Sequence, residues 1–172
     1  MFYQDRPKIT LDKSTFDNFL DVFAFGLLIV TIIYTVLNYS ALPDQIPMHF
    51  NYSGDITRFD DKDMIWLFPI LGIATVSGIF YLNKFPHVFN YPQKITPENA
   101  KEFYSDATRM LRFINVSISL LFSIILFEIV QVSLNNAKII SQAANYIIMS
   151  IVILMTIGPL IYAFLNLKKK KT

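Results

Sequence analysis

VFAFGLLIVTIIYTVLNYSAL (Val22–Leu42) runs directly into PDQIPMHFN (Pro43–Asn51). At 1.5 Å of rise per residue, the first string is long enough as a helix to cross a hydrocarbon core about 30 Å thick. The second cannot prolong that helix, because Pro43 and Pro47 lack backbone donors and the following Asn51-Tyr52-Ser53-Gly54-Asp55 is rich in turn formers. A membrane span therefore ends at a loop whose aromatic and proline content argues for order.

Three further apolar stretches, at about 64–82, 113–134 and 145–167, repeat the pattern. The whole chain is 53% hydrophobic and 16% charged, whereas soluble domains carry about 25% charged residues. The expected fold is all-α: an integral membrane protein of four transmembrane helices, forming a single membrane domain over residues 1–172. Its ordered extracytoplasmic loop, 43–63, joins helices 1 and 2. With no cysteine, disulfides, thiolate metal sites and cysteine nucleophiles are excluded, and a net charge of +2 offers no nucleic-acid surface. No small-residue cleavage pattern follows the first apolar run, so that run is expected to remain as an anchor.

Local signals set the borders. Ser14 followed by Asp17 reads as a capping box, and Asp17 and Asp21 fall in the first turns of the helix, near its positive dipole end and interfacial water. Trp66 and Tyr81 suit the ends of the second span, and Tyr146 and Tyr162 those of the fourth. Gly72, Ala74, Thr75, Ser77 and Gly78 keep one side of the second span small enough for close helix packing. Thr96-Pro97-Glu98 reads as the start of a cytoplasmic amphipathic segment, 97–112, which lies on the membrane surface or runs straight into the third span. Its apolar stripe is Ala100, Phe103, Tyr104, Ala107, Leu111 and Ile114, with Lys101, Arg109 and Arg112 turned away. Gly158-Pro159 is expected to kink the fourth span, and Lys168–Lys171 reads as an anchor to anionic lipid.

The third span holds Glu128. Fifteen Leu, Ile, Val and Phe residues around it each contribute about −0.3 to −0.6 kcal/mol to insertion, against about +2.5 to +3.5 for an ionised acid at mid-bilayer. The span still inserts. Twelve basic residues in the terminal and middle segments, against three in the alternate loops, place both termini in the cytoplasm of a plasma-membrane protein. His49 and His87 then lie on opposite sides and cannot share a metal. Glu128, Gln131 and Asn135 form a polar stripe at the outer end of the third helix, positioned to meet the loop from below.

Several residues have both a functional and a structural reading. His49 is the residue type that titrates near neutral pH or ligates a metal, but a lone histidine between Met48 and Phe50 is more often a hydrogen-bonded structural residue. The spacing of Asp44, Asp55 and Glu128 matches no metal motif, so no metal or cofactor is expected. Pro43, Pro47 and Asp44 suit the shaping of the loop. Glu128 either carries function, as ionisable residues inside spans often do, or pins the loop to the bundle. No nucleophile elbow, metallopeptidase pair or phosphate loop is present, and an enzyme is not expected.

Leu42-Pro43-Asp44, Ile46-Pro47, His49-Phe50-Asn51, Gly54, Arg58 and Lys62 resemble the signature of the family known as domain of unknown function 1648. Asn90-Tyr91-Pro92, Ile95-Thr96 and Glu98-Asn99 resemble its members too, so that the likeness covers roughly residues 20–135. Thr57, Phe59 and Asp60 depart from it, standing where many members have aspartate, tryptophan and glycine. The domain occurs in bacterial membrane proteins similar to the sporulation-delaying toxin immunity protein, which carry further helices. The resemblance implies a toxin immunity-like or sensory role, recognising a membrane-active peptide through Pro43, Asp44, Pro47, His49, Phe50, Asn51 and Gly54, with Glu128 and Gln131 beneath. The alternatives are a proton- or cation-coupled transporter or channel component using Glu128, and an accessory subunit bound to a partner membrane protein.

Overall fold

The computed structural model describes residues 6–169, with side chains in the last helix described as far as Ile161. Four helices are long and apolar enough to cross a membrane: α1 (Thr15–Asn38), α2 (Leu67–Leu82), α3 (Ala100–Asn135) and α4 (Gln142–Lys169). The chain is a multi-pass helical membrane protein. Between α1 and α2 lies a two-stranded antiparallel sheet, β1 (Gln45–Phe50) and β2 (Ile56–Asp61). The expected loop is thus a β-hairpin, and the fold is helical with one small sheet. Its strands carry little sequence signal because Pro47 interrupts β1 and β2 has no clean alternation.

The capping box forms as the sequence implies. Ser14 Oγ accepts from the Asp17 amide at 3.1 Å, and the Asp17 carboxylate accepts from the Ser14 amide at 3.0 Å, which satisfies amides that the first turn leaves without partners. α3 begins later than expected. Residues 97–99 make a turn in which Asn99 accepts from the Thr96 amide at 2.8 Å, and the helix then continues unbroken from Ala100 to Asn135. The segment up to Arg112 is therefore the first part of α3 itself. Pro159 lies inside α4; the lysine run passes beyond the described residues, and the side chain of Tyr162 lies outside them.

α1 and α3 run parallel and share the longest seam of the bundle. Asp17 binds Arg109, Ala24 accepts from the Ser119 hydroxyl, and Tyr34 meets Gln131, so contacts between residues 92 to 97 positions apart recur along both helices. Polar side chains face this seam: Asp17, Asp21, Thr31 and Thr35 from α1, and Thr108, Arg112, Asn115, Ser119 and Ser123 from α3 are all buried. Val22, Ile29, Val30, Ile33 and Leu37 of α1 are exposed on the other side. This inversion follows from the solvent. Lipid is as apolar as leucine, so helices associate through small residues and hydrogen bonds rather than apolar burial.

The expected orientation of the start of α3 is corrected accordingly. The buried face is Ala100, Tyr104, Thr108, Arg112 and Asn115, and Arg112 is turned in, not away. Its Nε bonds Asp21 Oδ1 at 3.2 Å, and its Nη1 lies 3.8 Å from Asp17 Oδ1. Arg109 holds Asp17 through two contacts, 3.0 and 3.3 Å, and Lys13 Nζ reaches Asp21 at 2.7 Å. Removing one partner of a buried ion pair strands the other, at a cost of about 3–5 kcal/mol. Arg112→Leu should therefore destabilise the protein by about that amount in a detergent unfolding titration. The double variant Arg112→Leu/Asp21→Leu should recover part of the loss, and an unchanged midpoint for the single variant would contradict this role.

Candidate functional site

The hairpin rests on the end of the bundle opposite the ion pairs. Leu42, Ile46, Ile65, Leu126, Ile129 and Val130 form one buried cluster, with Met48, Phe50, Trp66 and Tyr34 packed against it. Ile46 and Phe50 of β1 thus face the helices while His49 points outward. Pro47 is fully buried opposite Phe59. The pairing register shifts between Pro47 and His49, as suits a strand position that cannot donate to a ladder.

Asn51 builds the turn. Its Oδ1 accepts from the amides of Ser53 and Asp55, each at 2.9 Å, and its Nδ2 donates to the Asp55 carboxylate at 2.9 Å, the side-chain mimicry typical of asparagine at turns. Gly54 has φ +88°, and a Cβ there would stand 2.8 Å from Ile140 Cγ1. Only glycine fits both the backbone and the space. The Gly54 carbonyl accepts from the Ile140 amide at 3.0 Å, the Lys138 carbonyl from Ile56 at 3.3 Å, and the Tyr52 carbonyl from Asn145 Nδ2 at 3.2 Å. The α3–α4 connection thereby clasps the tip of the hairpin. At its base the Lys62 amide donates to the Asp44 carbonyl at 2.9 Å, and the Asp44 side chain is wholly exposed.

The polar stripe of α3 binds elsewhere than beneath the loop. Glu128 is buried and accepts from the Ser141 amide at 2.8 Å and the Ser141 hydroxyl at 2.7 Å. Ser141 Oγ in turn accepts from the Ala144 amide at 3.2 Å, so Glu128 organises the start of α4, where a helix N-terminus favours negative charge. Gln131 donates to the Tyr34 hydroxyl of α1, and Asn135 donates back to the Gln131 carbonyl at 2.8 Å. His49 lies 3.9 Å from Asp60, which Arg58 holds at 2.8 Å. Glu128 and His49 thus have separate partners. Ser141 and Tyr34 carry no sequence signal of these roles, because their partners are tertiary.

What remains outward is a surface. Tyr52 is 84% and Phe59 53% exposed. A cavity of about 490 Å³ lies between the hairpin and the end of α3, lined by Pro43, Pro47, Phe59, Val132 and Lys138 among others. No three His, Asp or Glu side chains gather to hold a metal among the described residues.

Residues 26–73 match the model of a family described as Domain of unknown function (DUF1648). This range runs from within α1 through the hairpin into α2, and the middle segment around Asn90 lies outside it. An uncharacterized protein of Archaeoglobus fulgidus is 29% identical over 68 residues. That alignment covers 35% of this chain and spans 37% of the relative's length. No solved structure matches the chain.

Glu128→Leu should leave the Ser141 amide without an acceptor and destabilise the protein by about 1.5–3 kcal/mol. Amide hydrogen exchange at Ser141 and Ala144 should accelerate, while Glu128→Gln, which keeps one acceptor, should fall between. Unchanged protection in Glu128→Leu would refute this capping role.

Proposed function

We propose that the hairpin is a recognition surface for a cationic membrane-active peptide, and that the protein serves an immunity-like or sensory binding role. The observation that carries this reading is the division of labour within the hairpin. Ile46, Pro47 and Gly54 are buried in its own support, while Tyr52, His49 and Phe59 stand outward, Phe59 at the edge of an open cavity. Exposed aromatic side chains beside a pocket are typical anchors for a binding partner. The loop and the α3–α4 connection carry Asp44, Asp55, Asp60, Asp61 and Asp63 against Arg58, Lys62 and Lys138. This acidic excess would speed encounter with a cation.

A second reading, transport of a proton or cation, draws support from the buried seam of α3, where Asn115 Oδ1 and Ser123 Oγ have no partner among the described residues. It ranks second because Ala24, Leu28 and Val76 close the same region with apolar packing and both Glu128 oxygens are engaged by Ser141. Flux through reconstituted protein that Glu128→Gln abolishes would reverse the order.

The peptide reading needs the hairpin outside the cell, and both termini inside. The absence of cysteine makes this directly measurable. Ser53→Cys should react with a membrane-impermeant maleimide in intact cells, and Lys94→Cys only after permeabilisation; the reverse pattern would overturn the orientation.

For the ligand, the single Trp66 packs 5.3 Å from the Tyr39 ring at the hairpin end and serves as reporter. Titrating a synthetic cationic amphipathic peptide into protein-loaded nanodiscs should shift its emission. Phe59→Ala should weaken binding about tenfold, and Asp60→Lys/Asp61→Lys should remove the salt dependence. Expression in a host sensitive to such a peptide should raise survival; no gain with the protein confirmed in the membrane counts against immunity.

A further inference from the structure

We propose that the opposite, basic end of the bundle is a binding site for the phosphate-bearing headgroup of a membrane lipid, held by Asn83 and Lys84, with an acyl chain lying between α3 and α4. A cavity of about 330 Å³ opens there between the amino-terminal segment, the end of α2 and the start of α3. Asn83, the residue that closes α2, lines it and is 8% exposed, yet neither its amide nitrogen nor its amide oxygen has a partner among the described residues. A buried amide left unsatisfied opposes folding. Such a group inside a cavity signals a ligand that completes it.

The charges around the cavity select an anion. Asp17, which lines the cavity, is already held by Arg109 and Arg112, and Asp21, one turn further along α1, by Arg112 and Lys13. Lys84 Nζ lies over the rings of Phe80 and Tyr81, at 5.7 and 5.6 Å, and pairs with no carboxylate among the described residues. Its charge is thus available at the rim, one residue from the unpartnered amide. Asp12, exposed on the same rim, tolerates the ammonium of a zwitterionic headgroup.

Position selects a lipid over a soluble phosphate compound. The cavity lies where each helix changes from polar to apolar: α2 ends at Leu82, and the long apolar run of α3 begins with Phe113, directly after Arg112. Arg109 also borders a second cavity of about 300 Å³, between α3 and α4, whose walls are apolar side chains such as Met110, Phe113, Ile114, Leu154 and Met155. A headgroup at the first cavity therefore has a slot for its chain alongside. Lysine and arginine at this level attract anionic headgroups. The proposal holds whichever side of the membrane this end faces, and is independent of the peptide reading.

The test is native mass spectrometry of the delipidated full-length protein, titrated separately with phosphatidylglycerol, with diacylglycerol lacking the phosphate, and with glycerol phosphate lacking the chains. Phosphatidylglycerol should bind and the other two should not. Lys84→Ala and Asn83→Leu should each weaken binding about tenfold, with Lys94→Ala, an exposed lysine outside the cavity, unchanged. Because Asn83→Leu removes an unpartnered amide, it should melt no lower than the parent without lipid. Diacylglycerol bound as tightly as phosphatidylglycerol would overturn the phosphate assignment, and glycerol phosphate bound as tightly would overturn the lipid. Retained affinity in Lys84→Ala, or lower melting in Asn83→Leu, would assign these residues to structure instead.

Discussion

Two buried carboxylates on the first turns of α1 meet two guanidinium groups on α3, one of them, Arg112, buried and the other, Arg109, half exposed. Asp17 and Asp21 are one helical turn apart, Arg109 and Arg112 nearly so, and that matched spacing fixes the register of two parallel helices whose connection is 61 residues long (39–99). No short turn could have aligned them. Once they are aligned, α2 has one place to return, antiparallel to both, and Asn115 Nδ2 reaches its Val76 carbonyl at 3.2 Å. Lys13 adds a third cation, on Asp21, which draws the amino-terminal segment across the end of the bundle and closes one wall of the basic cavity.

Away from that end, the bundle changes its means of cohesion. Along the seam Ser119 bonds the Ala24 carbonyl, and Gly72 sits so close to Leu28 and Phe122 that an added Cβ would meet them at 3.2 and 3.4 Å. Close backbone approach and hydrogen bonding act here in place of the hydrophobic effect, which has little to drive inside lipid. At the hairpin end water returns, and with it an ordinary apolar core: Ile46 from the hairpin closes over Leu126, Ile129 and Val130. At about 25 cal/mol per Å² of apolar surface removed from water, burial of this kind can hold a two-stranded sheet that would be marginal alone.

The spans, the capping box and the turn at Asn51–Asp55 were legible because each follows from local chemistry: length, donor loss, or side-chain mimicry of a backbone turn. The strands were not, since Pro47 breaks the alternation by which a strand is recognised and the hairpin is held by Lys138 and Ile140, more than 80 residues away. Arg112 was misplaced for a different reason. A helical wheel assigns the apolar stripe to the interior, a rule for proteins in water, and α3 enters lipid at the very residue where that rule reverses. The partner of Glu128 was equally hidden: Ser141 is an unremarkable serine in a short connection, and only the folded chain brings it to the carboxylate.

That placement of Glu128 changes what the hairpin can be. A glutamate bonded to His49 or Asn51 would have tied recognition to an ionisable group in the membrane and made a relay through the bundle a natural mechanism. Bonded instead to Ser141, it fixes the first turn of α4, and the connection before that turn clasps Gly54 and Ile56. The carboxylate therefore supports the hairpin at one remove, through backbone geometry rather than through charge. On the proposed reading, a surface held in this way would be preorganised before any ligand arrives, so that less of the binding energy would go into ordering the protein. His49, Tyr52 and Phe59 owe their exposure to that rigidity: with Ile46, Pro47 and Gly54 committed inward, the hairpin has no other face to present.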